Sequence, residues 1–252
     1  MPRGRRPEQD ELKNLSECLS EGKSSTNNFV IIASMKLLLT SSGISNKSIA
    51  NALAGLVGRP FSELNIVFIP TAASLEKDDK SWLVKDLHNA KELGFKNFYI
   101  TDLAIAPREV WLPQVDLADV IMVGGGHTEF LYDSMEQSGF IKELPRLLKS
   151  RVYVGISAGS IVCAEQMAMT GAGLLYYEEY KGISERRGLG FVPFEIRPHY
   201  KSDYFPKVND EYLSKMAKEM TCPFYALDDN SAVQVVDGNV EIITEGVWKK
   251  FN

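Results

Sequence analysis

The 252 residues carry 44% hydrophobic and 24% charged side chains and a net charge of −5, a balance that suits a globular core and excludes a disordered chain. The one dense basic run is Arg3, Arg5 and Arg6, which argues against nucleic acid as a partner, and no apolar run approaches the ~20 residues of a membrane span. Cys18, Cys163 and Cys222 are too scattered for a disulfide framework or a zinc site, so the chain reads as a cytoplasmic protein without a metal.

Residues 1–34 are mostly polar and read as a leader or poorly ordered extension. Their apolar island, Val30-Ile31-Ile32, is too short for a secretory core. Met35, next to the apolar run Leu37-Leu38-Leu39, looks like a natural start, and 35–252 reads as one domain. Lys36–Thr40 is the first expected strand, ending in the loop Ser41-Ser42-Gly43. Ser48–Val57 has helical spacing through Ile49, Leu53 and Leu56 and closes at Gly58. Asn65–Pro70 is a second strand, and Trp82, Leu83, Leu87, Ala90 and Leu93 mark a helix that stops at Gly94. Phe98–Ile100 and Asp119–Val123 are further strands, Phe140–Leu148 a helix, and Arg151–Val154 a strand. Ile161–Met167 reads as a helix and Phe191–Phe194 as strand-like. A helix through Tyr212, Leu213, Met216 and Met220 leads to an apolar strand, Phe224–Leu227. Short apolar strands separated by helices imply a mostly parallel sheet buried on both faces, a doubly wound three-layer α/β/α sandwich. Sites in such sheets lie beyond the carboxyl ends of the strands.

Gly155-Ile156-Ser157-Ala158-Gly159 joins a strand to a helical stretch, the layout of a nucleophile elbow, although small residues fill many ordinary strand-to-helix turns. Gly124-Gly125-Gly126 ends the preceding strand and reads either as a nest of N–H donors for an oxyanion or as a flexible turn. It does not match the Gly-x-Gly-x-x-Gly fingerprint, so no nicotinamide cofactor is expected. A serine nucleophile needs a base, and the chain has three histidines. His88 lies on an amphipathic helix and suits the surface, and His127 follows the glycines where it could touch substrate. His199, after Pro198 at a strand exit, suits a rigidly held base or a turn residue. Asp228 and Asp229 end an apolar strand, where one could orient the imidazole, although Asp-Asn-Ser is also common turn chemistry. The order Ser, acid, His of α/β-hydrolases does not apply, because here the histidine precedes the acid.

Val123-Gly124-Gly125-Gly126-x-Thr128, Gly155 to Gly159, Pro198-His199-Tyr200 and Leu227-Asp228-Asp229 together resemble the peptidase E (α-aspartyl dipeptidase) family. That family belongs to the group with a class I glutamine-amidotransferase-like fold, which also includes cyanophycinases. The resemblance covers Met35 to about Val236. It implies a cofactor-free serine peptidase acting on small peptides with N-terminal aspartate, as a monomer or homodimer. Ser157 would be the nucleophile and His199 the base, with the N–H groups of Gly125 or Gly126 and of Ala158 as the oxyanion hole. Asp229 aligns with a position where Glu is usual, giving a triad Ser157-His199-Asp229. His127 and Arg197 also depart from the usual residues. They fall at the expected pocket with Thr128, and Arg197 is the first candidate to grip an acidic substrate side chain, ahead of Arg186, Arg187 and Lys201. A cyanophycinase-like or other small amide or ester hydrolase, and a binding module without turnover, are the alternatives.

Overall fold

The computed structural model describes residues 35–168, 175–176, 185–218 and 220–252, so the expected extension over 1–34 lies outside the described residues. The strands are, in chain order, β1 (Lys36–Thr40), β2 (Asn65–Ile69), β3 (Asn97–Ile100), β4 (Val120–Val123), β5 (Val152–Ile156), β6 (Gln166–Ala168), β7 (Glu185–Arg187), β8 (Glu195–Arg197), β9 (Phe224–Leu227), β10 (Ser231–Val236), β11 (Asn239–Thr244) and β12 (Trp248–Phe251). The main sheet has seven strands in the order β11-β10-β1-β5-β4-β2-β3. Strands β1, β5, β4, β2 and β3 run parallel, and the hairpin β10-β11 adds to β1 antiparallel. A second sheet, β12-β9-β8, pairs β8 and β9 in parallel.

Period-two side-chain alternation splits the apolar strands between two cores. Leu37, Leu39, Val67, Ile69, Ile121 and Val123 face one; Leu38, Ile66, Phe68, Val120 and Met122 face the other. Helices α1 (Lys47–Val57) and α2 (Ser81–Glu92) cover the second core. Helices α3 (Arg108–Leu117), α4 (Thr128–Gln137), α5 (Phe140–Leu147) and the short α6 (Ala158–Ile161) cover the first. The sandwich is therefore three-layered. Helix α1 starts where the Asn46 side chain accepts the Ile49 N–H at 3.0 Å and ends at left-handed Gly58. Helix α7 (Asp210–Ala217) packs Tyr212, Leu213 and Met216 against Phe224 and Ala226 of the second sheet, forming a satellite core. No helix among the described residues is long and apolar enough to cross a membrane.

One expected helix is overturned. Ile161–Met167 is not helical: α6 ends at Ile161, Ala164 bridges Val192, and β6 begins at Gln166. The carbonyls that would continue the helix are taken by distant donors, Val162 O by the Leu189 N–H at 2.8 Å and Cys163 O by the Phe191 N–H at 2.9 Å. Cys163 is fully buried, as a small core residue would be. The strand expected over Phe191–Phe194 is only the Val192 bridge, and the ladder starts at Glu195.

Candidate active site

The carboxyl ends of β5, β4 and β1 meet at Ser157. Its backbone is held at φ 48, ψ −108, a conformation that L-residues adopt only when their surroundings force it, at a cost of order 1–3 kcal/mol. The Ser157 N–H donates to Thr40 O at 3.1 Å, and the Ser160 hydroxyl donates to the same carbonyl at 2.8 Å. The buried Tyr153 hydroxyl donates to Gly159 O at 2.7 Å. Gly159 must be glycine, because a Cβ there would overlap the Val123 carbonyl oxygen. The sharp turn leaves Ser157 half-buried while its neighbours on both sides are buried. Gly125 lies directly against it, since a Cβ at Gly125 would sit 3.1 Å from Ser157 Cβ. Among the described residues no acceptor meets the N–H of Gly125, Gly126 or Ala158, whereas the Gly124 N–H is spent on Ile69 O at 2.9 Å. Two strand ends thus bring backbone N–H groups without a bonded acceptor close to one hydroxyl.

The second sheet supplies the other side. Strands β8 and β9 pair Arg197 with Ala226, so the chain segments leaving them run side by side and carry His199 and Asp229 together. His199 Nε2 lies 3.0 Å from Ser157 Oγ, and His199 Nδ1 lies 2.7 Å from Asp229 Oδ1. A carboxylate can only accept, so Nδ1 carries a proton, and in the neutral ring Nε2 has a lone pair toward the Ser157 hydroxyl. His199 is itself left-handed, with φ 63. The residue that secures this geometry is Ser41, beyond the end of β1. Its Oγ accepts the His199 N–H at 2.8 Å and donates to Asp229 Oδ1 at 3.0 Å. Asp228 is occupied elsewhere: it accepts from the Ser231 hydroxyl, the Asn230 N–H and the Val247 N–H.

Burial works to raise the pKa of Asp229, but the hydrogen bond and charge of His199, the Ser41 hydroxyl and the charge of Lys85 outweigh it and hold the carboxyl below its ordinary value. Asp86, on α2, behaves oppositely. It is buried, with a carboxyl oxygen 3.2 Å from where a Gly43 Cβ would lie. Burial pushes its pKa up from 3.8 to about 7, against a lowering by Lys85, and the nearby Asp229 adds to the rise.

The expected pocket residues fare differently. His88 is exposed. His127 is half-buried and caps α4, its Nδ1 accepting the Phe130 N–H at 3.3 Å, and Thr128 is fully buried. Arg197 requires correction. It is fully buried, ion-paired with Glu195 at 2.5 Å and set over the Phe224 ring. Residues 195 and 197 share one face of β8, a strand buried on both faces, where a guanidinium needs an anionic partner, so Arg197 is not exposed at the cleft to grip a substrate. Lys201 pairs with Asp210 at 3.4 Å, Arg187 is exposed, and the side chain of Arg186 lies outside the described residues. Sequence reasoning does not single out Ser41. The one signal available is its place beyond the end of β1, where sites in parallel sheets form.

The chain is similar to known proteins in sequence and fold. The sequence model of peptidase family S51 matches residues 37–243. Peptidase E of Streptomyces coelicolor (strain ATCC BAA-471 / A3(2) / M145) is 27% identical over 179 residues, covering 67% of this chain and 70% of that protein. The uncharacterised peptidase YgaJ of Bacillus subtilis (strain 168) is 28% identical over 173 residues, covering 68% and 69%. A crystal structure of a protein assigned as a peptidase E from Listeria monocytogenes EGD-e superposes with TM-score 0.69 at 20% identity, covering 85% of this chain and all of that one. A peptidase from an acI-B1 Actinobacterium superposes with TM-score 0.58 at 19% identity, covering 86% and 98%. The family match runs from β1 into β11 and takes in Ser157, His199 and Asp229: the chain is a peptidase and belongs to the peptidase E family, S51.

Proposed function

We propose that the protein is a serine peptidase that hydrolyses small peptides, with dipeptides bearing N-terminal aspartate as the leading substrates. The observation that carries the mechanism is the hydrogen-bonded line from Ser157 through His199 to Asp229. His199 Nε2 takes the proton as the Ser157 hydroxyl attacks the scissile carbonyl, and then hands it to the leaving amine. Asp229 holds the ring in the required tautomer and stabilises the imidazolium. The N–H groups of Ala158 and Gly125, with Gly126 beside them, face the developing oxyanion; one such donor is worth ~3 kcal/mol in other hydrolases. Water then releases the acyl group by the same route in reverse.

An acidic substrate side chain calls for a cation. With Arg197 sealed away, the exposed Lys85, whose charge already reaches the Asp229 carboxylate, takes that part. The burial of Arg197 also favours a second reading, in which the same three residues cleave β-aspartyl or other small amides. The test is hydrolysis of α-aspartyl, β-aspartyl and non-acidic dipeptides by the parent and Ser157→Ala, with fluorophosphonate labelling alongside. Preferential cleavage of α-aspartyl dipeptides that vanishes in the variant is the expected result. Cleavage that persists in Ser157→Ala refutes the mechanism, and a preference for another linkage refutes the substrate assignment. An unreactive Ser157 would mark a binding module.

A further inference from the structure

Two hydrogen bonds pin the nitrogens of the His199 ring, but neither touches its faces. The ring also meets two aromatic side chains that take no part in the proton transfers. Phe205 stacks on the imidazole with centroids 4.9 Å apart and planes 29° from parallel. Tyr176 meets the same ring edge-on, at 6.3 Å and 79°. Tyr176 and Phe205 also meet each other edge-on, at 5.5 Å and 82°. The Tyr176 hydroxyl donates to Pro198 O at 3.2 Å, on the residue just before His199. Phe205 rides on a turn tied by the Val208 N–H to Phe205 O at 2.9 Å, with the Lys201 N–H donating to Val208 O at 2.8 Å.

This support answers a specific need. Left-handed backbone costs an L-residue roughly 1–2 kcal/mol, so the surroundings of His199 must hold it at φ 63. Hydrogen bonding at both nitrogens demands that Asp229 and Ser157 lie near the ring plane, and the stacked Phe205 ring lies along that plane. The His199 side chain is 17% exposed although its partner Asp229 is 48% exposed, and the two aromatic rings are among the groups packed on it.

We infer that Phe205 and Tyr176 form an aromatic clamp that positions His199, Phe205 fixing the ring plane and Tyr176 anchoring the clamp to the backbone. The clamp rests on the proposed role of His199 as base. Both rings also pack against the satellite core, so the competing explanation is packing alone.

The test compares Phe205→Leu, which keeps apolar bulk, with Phe205→Tyr, which keeps the ring. In Phe205→Leu, kcat for a small peptide and the rate of fluorophosphonate labelling should fall about 10- to 100-fold with KM little changed, the scale set by small misplacement of a reacting group. Phe205→Tyr should restore most of both. The low-field Nδ1 proton resonance of His199 provides a readout without turnover: sharp in the parent and in Phe205→Tyr, broadened by water exchange in Phe205→Leu. An unchanged resonance and unchanged kcat in Phe205→Leu would overturn the clamp. So would losses that track only a drop in Tm and are not rescued by Phe205→Tyr. A parent protein that shows the resonance yet never labels at Ser157 would sink the hydrolase reading alone, and the resonance series would still decide the clamp.

Discussion

The two halves of the candidate site are held by different physics. On the main sheet, Ser157 is placed by backbone packing: buried neighbours, a strained φ of 48, and a Gly159 that has no room for a Cβ. On the second sheet, His199 and Asp229 are placed by side-chain hydrogen bonds and ring contacts, and the carboxylate is 48% exposed. Position and stability are therefore coupled on the first side and separable on the second. A change near Ser157 disturbs the core, whereas a change near Asp229 can silence the site and leave the fold standing.

That contrast can be broken from either side. Asp229→Asn should give the largest loss of activity, about 10^3-fold or more in kcat, because an amide can donate to Nδ1 and favour the tautomer that cannot accept the serine proton. Its Tm should stay near that of the parent; a drop in Tm that accounts for the lost activity would erase the distinction. Ser41→Ala, which removes a bond to the same carboxylate and orphans the His199 N–H, should cost about 10-fold, the equivalent of ~1.4 kcal/mol. Gly159→Ala should show the opposite pattern, destabilising by about 3 kcal/mol and lowering Tm by roughly 6–12 °C, with residual activity tracking the folded fraction.

For Asp86→Asn the expected effect is on stability, and it depends on pH. With a folded pKa of about 7 against an ordinary 3.8, the folded state keeps a proton through that window that the unfolded chain releases. Parent stability therefore falls as pH rises from about 4 to about 7, by at most ~1.4 kcal/mol per unit. Asn cannot ionise, so the variant should match the parent near pH 4 and become the more stable of the two by pH 7. Denaturant unfolding at the two pH values checks the sign; parallel curves would show that Asp86 is not held protonated.

Much of this can be read from residue order. The parallel strands announce themselves as apolar runs, and the turn at Ser157, the glycines at Gly124 to Gly126 and the Pro198-His199 step each sit at a strand end. The rest is set by tertiary contacts. Helix α3 contains Pro113, which disguises its period, and helix α4 begins with a buried Thr128 and Glu129, polar residues that read as loop. The segment after Ile161 has helical composition but surrenders its carbonyls to residues 189–192. Arg197 reads as a free cation because sequence spacing shows nearness to His199 but not which face of β8 it occupies. Ser41 is one serine among many until folding sets it between His199 and Asp229.

The parallel pairing of β8 with β9 has a consequence for the two adjacent acids. Arg197 stands opposite Ala226, and the Tyr200 N–H donates to Leu227 O at 2.9 Å, which locks the phase between the histidine and the residues just past the end of β9. Asp228 and Asp229 are chemically alike, so it is this phase that sorts them into different trades: one ties a turn shut, the other faces an imidazole. Shift the phase by a single residue and the wrong acid, or Asn230, would stand at the ring.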